Sequence, residues 1–325
     1  NLGNGAMIKR IVKRLRYHYL ASRVILVAAY PIIYFGRLAA WLKIRVKING
    51  GQVTYYGTSL YFPRNIGVNI LTRIYWNGDG GFEKYFGKFI TAAFDRADVF
   101  FDVGSNFGFY SVLACKRNPH LFSYCFEPVD FLQRDNTVFH QANRVTNYQL
   151  VKKALGEEDG MSTLLVPAQA EFKFLITSAT LSQEFAEAKG FGTVPATIEV
   201  ERLDTFASAL EANGRLNQTS AVLVKIDVEG FEYFVLKGAR NFFQRFQPIV
   251  FIEIFMKGDN LKNILNFLEE AHYCVFAFSN IGLVHLESDL LCSYQGDRNF
   301  VLFPQKWAKL RIITHENFST TIFRQ

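Results

Sequence analysis

"VFFDVGSNFGFYS", Val99 to Ser111, decides the fold of this chain. It opens with β-branched and aromatic residues that favour a buried strand. Small and polar residues follow, and then the start of a helix. A glycine-spaced turn therefore sits where a strand ends. In open sheets with helices on both faces, ligands bind beyond the carboxyl ends of the strands, which is where Gly104 and Gly108 fall. The dinucleotide pattern G-x-G-x-x-G needs a middle glycine so that the backbone can approach a pyrophosphate. Here Asn106 stands at that position. A phosphate loop of the G-K-[ST] kind is also absent. Asp102 enters the turn just ahead of Gly104, and a carboxylate there repels a diphosphate and attracts a cation.

Outward from this turn, strand and helix patterns alternate from Asp98 onward. "LFSYCFEP" reads as a strand before a helix over "DFLQRDNTVFHQAN", and "NYQLVKKAL" as a third strand. "AVLVKIDVEG" is a strand before one helix through "FEYFVLKGARNFFQRF", and "PIVFIEIF" is a strand before "NLKNILNFLEEA". "YCVFAFS" and "RNFVLFP" close the series with no clear helix between them, which predicts an antiparallel finish. The pattern predicts an α/β domain over residues 98–305, with a mostly parallel sheet and helices on both faces. Residues 156–200 interrupt the rhythm as a hairpin, "MSTLLVP" with "ATIEVERL", whose intervening residues are expected as a lid. Ahead of the core, residues 49–97 read as a hairpin around the Gly-Gly turn of "KINGGQVTYYG", then an irregular aromatic stretch, then a helix through "FEKYFGKFITAAF". Residues 306–325 are expected as a tail.

The chain has 325 residues, 50% of them hydrophobic, which is enough for one large domain with an appendage. Phe and Tyr are abundant, at 33 and 15 residues, and supply both core and candidate pocket walls. The net charge is +7, but it is localised. Lys9, Arg10, Lys13, Arg14, Arg16 and Arg23 form one run, and the remainder is nearly balanced. A nucleic-acid enzyme spreads basic residues around its cleft, so nucleic acid is not the expected partner. Ile8, Ile11, Val12 and Leu15 recur at helical spacing among the basic residues. The uncharged run "VILVAAYPIIYF" is too short to cross a bilayer, which takes about 20 residues. The segment 7–48 is thus a basic and apolar helical appendage. Its residues 7–42 are either an interfacial anchor on anionic lipid or helices packed on the domain or on a second subunit of a homo-oligomer. "NLGNGA" precedes Met7 and is set aside. Cys115, Cys125, Cys274 and Cys292 lie far apart, which excludes a zinc site or a disulfide framework. Buried thiols fit a reducing, cytoplasmic setting, peripheral to the membrane.

The second strand ends in "FEP", with Glu127 placed 25 residues after Asp102. An acid after the neighbouring strand can accept both hydroxyls of a ribose. A ribose, a cationic group and no provision for phosphates describe S-adenosylmethionine.

The blocks "DVGSNFGFYS", "FEP", "LDTF", "KIDVEGFEYFVLKGA" and "FIEIF", in this order and spacing, resemble the FkbM family of S-adenosylmethionine-dependent methyltransferases. The resemblance runs from Tyr75 to Pro304, and "KIDVEGFE" is its most specific part. "DVGSN" replaces the family's usual DVGAN, with Ser105 for alanine. The resemblance implies the class I methyltransferase fold, Rossmann-like, with a seven-stranded sheet whose last strand is antiparallel. It also implies a cofactor site. Asp102, Gly104, Ser105, Asn106 and Gly108 would meet the amino-acid part, with Asp227 beside them. Glu127 and Pro128 would meet the ribose, and Ala154 and Leu155 would border the adenine.

Methyl transfer is an in-line displacement, and the enzyme must hold the acceptor oxygen about 3 Å from the methyl carbon. "KIDVEGFE" offers Lys225, Asp227, Glu229 and Glu232. Alternation puts the first three on one side if the strand runs that far. Asp227 or Glu229 is the candidate general base, with Glu253 of "FIEIF" across the same mouth. Three carboxylates also suit a Mg²⁺ gripping a diol, at Asp227, Glu229 and Glu253. The structural alternative is that Glu229 caps the next helix near Gly230. Tyr75, Trp76, Glu83 and Tyr110 are candidate substrate residues, because aromatic rings stack on sugars and a glutamate takes their hydroxyls. The six histidines show no ligand spacing. The expected activity is O-methylation of a sugar, glycan or glycolipid. The alternatives are a membrane-attached module that binds the cofactor without turnover and, against Asp102 and Asn106, a nicotinamide-dependent oxidoreductase.

Overall fold

A computed structural model describes residues 47–167, 181, 193–256, 258–287, 290–291, 294, 296–307 and 309–322. The basic segment 7–42, Cys292 and most of the expected lid, residues 168–180 and 182–192, lie outside the described residues. The chain divides into two compact units, Asn1–Lys84 and Tyr85–Gln325.

In the first unit, β1 (Gly51–Tyr55) and β2 (Thr58–Phe62) form the expected hairpin. Its turn is not Gly50-Gly51, because Gly51 already pairs with Phe62. The chain reverses at Tyr56 and Gly57, with φ of 42° and 79°. A two-residue type I′ hairpin turn needs positive φ at both positions. The tyrosine is held there by its N–H, donated to Asp79 Oδ1 at 2.7 Å, and its hydroxyl, donated to the Lys84 carbonyl. The stretch expected as irregular contains α1 (Val68–Asn77), which buries Leu71, Thr72 and Ile74 on one face.

The second unit is the α/β domain. After α2 (Lys84–Phe94) come β3 (Val99–Val103), α3 (Phe109–Arg117), β4 (Phe122–Phe126), α4 (Asp130–Ala142) and β5 (Tyr148–Val151). Next are β6 (Ala154–Leu155), β7 (Gly160–Pro167), β8 (Thr193–Glu201), α5 (Leu203–Ala212) and β9 (Val222–Ile226). Then follow α6 (Glu232–Lys237), α7 (Arg240–Phe246), β10 (Ile249–Glu253), α8 (Gly258–Glu270) and β11 (Tyr273–Phe278). The chain closes with β12 (Leu283–Leu286), β13 (Asn299–Pro304), β14 (Ile312–Ile313) and α9 (His315–Ile322).

The main sheet runs β14-β12-β11-β13-β10-β9-β3-β4-β5. The strands from β10 to β5 are parallel, and β13 runs against both β10 and β11. These are the seven expected strands with their antiparallel finish. Two short strands, β12 and β14, extend the β11 edge. Residues 306–325, expected as a tail, supply β14 and α9, and Phe318 of α9 packs edge-on to Phe89. Every residue of β3 and β9 is buried, as strands covered on both faces require. Much of the aromatic content is core. Phe101 stacks on Tyr124 at 5.5 Å and meets Phe242 edge-on at 5.3 Å.

Two expectations about continuity fail for long-range reasons. "NYQLVKKAL" is not one strand. β5 stops at Val151, and Ala154–Leu155 join a second sheet of order β6-β8-β7, in which β7 and β8 are the expected hairpin. The single helix through Phe231–Phe246 is two, divided at Gly238. A Cβ on Gly238 would stand 1.9 Å from the carbonyl oxygen of Gly156, and the Gly238 carbonyl accepts the Asp204 N–H at 3.0 Å. Asp204, of the "LDTF" block, then caps α7 by accepting the Phe242 N–H at 2.8 Å.

Candidate active site

Asp102 is the last but one residue of β3, and its neighbours across the sheet are Cys125 on β4 and Lys225 on β9. It is 1% exposed. Oδ2 accepts the Ser111 N–H at 3.2 Å, and Oδ1 is buried with no hydrogen-bond partner. Burial pushes its carboxyl up to about 6, against the pull of Lys225 and with a further push from Asp227. A buried acceptor without a donor is costly, and this one lies under the glycine turn.

The turn is held from three sides. The N–H groups of Gly104 and Ser105 donate to the Phe126 carbonyl at 3.1 and 3.0 Å. Asn106, at φ 52°, donates its N–H to Glu127 Oε2 at 2.9 Å. Gly108, at φ 82°, lies so close to α4 that a Cβ would stand 2.6 Å from His140 Cε1. Below the turn, Asn136 Nδ2 donates to Ser105 Oγ at 3.2 Å and to the Asn106 carbonyl at 3.1 Å. His140 Nδ1 lies 2.9 Å from the Asn136 carbonyl. A carbonyl only accepts, so Nδ1 carries the proton. Nε2 faces Ser111 Oγ at 3.1 Å, and burial lowers the imidazole to about 4, leaving it neutral.

Asn136 and His140 form the floor of the turn and were not among the expected site residues. Their signal was two polar side chains four residues apart on the face of α4 that also buries Leu132 and Phe139.

Glu127 follows β4, 4% exposed. Oε1 accepts the Val129 N–H at 2.9 Å and Oε2 that of Asn106, and burial raises the carboxyl to about 7 against these two bonds. Each oxygen keeps a second lone pair. Pro128 beside it is half-buried, and Ala154 and Leu155 are buried on β6.

β9 ends at Ile226, and the Asp227 N–H donates to the Val103 carbonyl at 3.1 Å, so strand alternation extends only to Asp227. The side chains of Lys225 and Asp227 do meet, with Nζ 3.0 Å from Oδ2. Lys225 is buried and Asp227 is partly open to solvent. Glu229 leaves the strand line in a left-handed conformation, φ 52°. Glu232 takes a backbone N–H near Gly230. Its Oε1 accepts the Gly230 N–H at 2.6 Å, and its Oε2 accepts from Asn260 Nδ2 at 2.9 Å. Glu253 ends β10 opposite Asn299. Asp227, Glu229 and Glu253 do not assemble a Mg²⁺ cage: among the described residues no group of three His, Cys, Asp or Glu side chains could hold a metal ion.

Tyr110 is buried, with its ring 5.4 Å from both the Lys225 ammonium and the Phe86 ring. Tyr75, Trp76 and Glu83 belong to the first unit. Tyr75 is exposed and edge-on to Trp76 at 5.2 Å, and Glu83 has φ 39°. Cys115, Cys125 and Cys274 are buried free thiols. Among the described residues no helix is long and apolar enough to cross a membrane.

The methyltransferase FkbM domain family matches residues 102–275, more than half of the 325-residue chain. No curated protein matches it. The methyltransferase FkbM of Methylobacillus flagellatus KT is similar in fold, with 15% identity and a TM-score of 0.38 over 64% of this chain and 44% of that one. TYW2 of M. jannaschii, solved with AdoMet, shows 9% identity and a TM-score of 0.35 over 79% and 84%. This chain thus spans less than half of the Methylobacillus chain. These likenesses are distant, and the assignment rests on the family match. The reversed β13 between β10 and β11, on a sheet otherwise parallel from β10 to β5, is the class I methyltransferase arrangement that the resemblance implied. With the DVGSN, FEP and KIDVEGFE blocks at the exits of β3, β4 and β9, the chain belongs to the FkbM methyltransferase family.

Proposed function

We propose that the protein transfers the methyl group of S-adenosylmethionine to a hydroxyl of a sugar, glycan or glycolipid. The observation that carries the cofactor half is Asp102 Oδ1, a buried acceptor with no donor at the glycine turn. The residues fit this cofactor. Asp102 would take its ammonium, Glu127 would offer its remaining lone pairs to the ribose hydroxyls, and the buried Ala154–Leu155 edge would border the adenine. When bound, S-adenosylmethionine supplies an electrophilic methyl group on a sulfonium, a leaving group that needs no acid.

The chain's own residues then have one task, to bring an acceptor oxygen into line and relieve it of its proton. Asp227 suits that role: its carboxylate is 34% exposed at the exit of β9 and is held by Lys225 from beneath. Glu229 and Glu253, half-buried at the exits of β9 and β10, are the further acids of the proposed acceptor site. The sugar preference rests on the resemblance. The basic run from Lys9 to Arg23 supports an acceptor presented at an anionic membrane surface, reached from the cytoplasmic side.

Calorimetric titration with S-adenosylhomocysteine tests the cofactor half. The wild type is expected to bind in the micromolar range and Glu127→Ala to lose that binding. A folded wild type that does not bind overturns the reading. Binding without formation of S-adenosylhomocysteine from S-adenosylmethionine, across a panel of sugar and glycolipid acceptors, would favour a non-catalytic module.

A further inference from the structure

Lys225 sits in the middle of the sheet, on a strand otherwise made of Val, Leu and Ile. It is 5% exposed and, among the described residues, is the only buried lysine or arginine. A buried ammonium is costly unless it is paired, so its charge has to be matched nearby. Its register partner on β3 is Asp102, and its partner on β10 is Phe251. The ammonium lies beside the Tyr110 ring and bonds Asp227 Oδ2 at 3.0 Å. One buried cation thus stands between two carboxylates, one inside the sheet and one at its mouth.

We infer that Lys225 is a positioning residue of the cofactor site, holding Asp227 at the exit of β9 and keeping Asp102 an anion that can receive a cationic ligand. Two carboxylates and one ammonium leave the cluster with one negative charge, which a cationic ligand completes. Without the ammonium, two like charges would share the site, and the buried one would hold a proton instead. Lys225 itself is sealed beneath Tyr110 and turned to Asp227, so it acts on the ligand through the two acids.

The inference rests on the proposed cofactor reading. It makes the affinity for the cofactor depend on pH through Asp102. The titratable groups facing Asp102 are Lys225 and Asp227 from β9 and its exit, Cys125 and Glu127 from β4 and its exit, and Cys115 from α3. His140 of α4 reaches it through Ser111 and is neutral. The cysteines are pushed up by burial and stay protonated. Glu127 is also lowered by Lys225, so it responds to loss of the lysine in the same direction as Asp102.

The test is calorimetric titration of the full chain with S-adenosylhomocysteine between pH 5 and 8.5, for the wild type, Lys225→Met and Asp227→Asn. In Lys225→Met the fall in affinity on acidification should begin at least about one pH unit higher than in the wild type, with near wild-type affinity regained at the alkaline end. In Asp227→Asn it should begin lower, because a like charge has gone. A purely structural lesion would weaken binding equally at every pH. Superimposable profiles for the wild type and Lys225→Met, or a loss that does not vary with pH, overturn the inference. Should Lys225→Met show no cooperative melting transition, Asp227→Asn decides: a downward displacement supports the inference and an unmoved profile overturns it. A wild type that binds at no pH is a different result, since there the cofactor reading itself fails and the inference falls with it.

Discussion

Gly104 lies against the backbone carbonyl of Asp227 so closely that a methyl group on its Cα would stand 2.0 Å from that oxygen. The exits of β3 and β9 meet backbone to backbone, so no side-chain rotation relieves the clash, and φ at Gly104 is +75°. Gly104→Ala is therefore expected to cost about 2–4 kcal/mol, from the left-handed backbone and the overpacking together. Urea unfolding would measure it. A variant as stable as the wild type would show that the two exits are not held at this spacing.

Asp102 adds a pH dependence with a definite sign. Its folded value, about 6, lies above its ordinary 3.8 because it is buried. The folded state holds this proton longer, so the stability from this group is complete at acid pH and is lost as pH rises through about 6. Asp102→Asn removes that loss. It should melt higher than the ligand-free wild type at pH 8, with little difference at pH 4. Its affinity for S-adenosylhomocysteine should fall tenfold or more, as expected for losing a charge-assisted hydrogen bond of about 1.5–3 kcal/mol. Tighter binding by the variant would remove Asp102 from the cofactor site.

Glu232 serves the "KIDVEGFE" block as a brace. Alanine there leaves the Gly230 N–H without its acceptor and the Asn260 amide with only the Phe255 carbonyl, at a cost of about 1–3 kcal/mol. Glu232→Gln keeps one acceptor oxygen but turns its own N–H groups toward the second donor, so it should recover only part of the loss. Thermal melts of the two variants side by side check this. Equal losses would mean that the charge, and not the oxygen acceptor, matters at this position.

The basic segment makes a prediction about membranes. The full chain should cosediment with vesicles containing phosphatidylserine and not with neutral ones, and the binding should weaken with salt. Deletion of residues 7–42 should abolish it. Sedimentation that survives the deletion would assign the contact elsewhere.

The order and type of the core elements were legible because fully covered parallel strands are written as short unbroken apolar runs, and those runs alternate with helical spacing. The glycine turn was legible for the same reason, since Gly104, Asn106 and Gly108 lie at the end of such a run. What escaped depends on partners distant in sequence. The break at Gly238 is imposed by Gly156, and the floor under Gly108 by Asn136 and His140. The hairpin turn was misplaced because Gly50-Gly51 is the stronger local signal, whereas Tyr56 adopts its conformation through ties to Asp79 and Lys84. The geometry around Gly230 escaped because β9 stops at Ile226, and everything beyond it follows a turn that alternation does not describe.

The second sheet has a consequence for how this protein could change over generations. Pro167 and Thr193 are paired across β7 and β8, so the chain leaves the hairpin and re-enters it at one rung of the ladder. The near end of that hairpin is tied down by Asp159, which accepts the Arg202 N–H at 2.7 Å and the Thr205 hydroxyl at 2.8 Å. Residues 168–192 can therefore lengthen, shorten or be exchanged between relatives without shifting the strand register or the exits of β3 and β9.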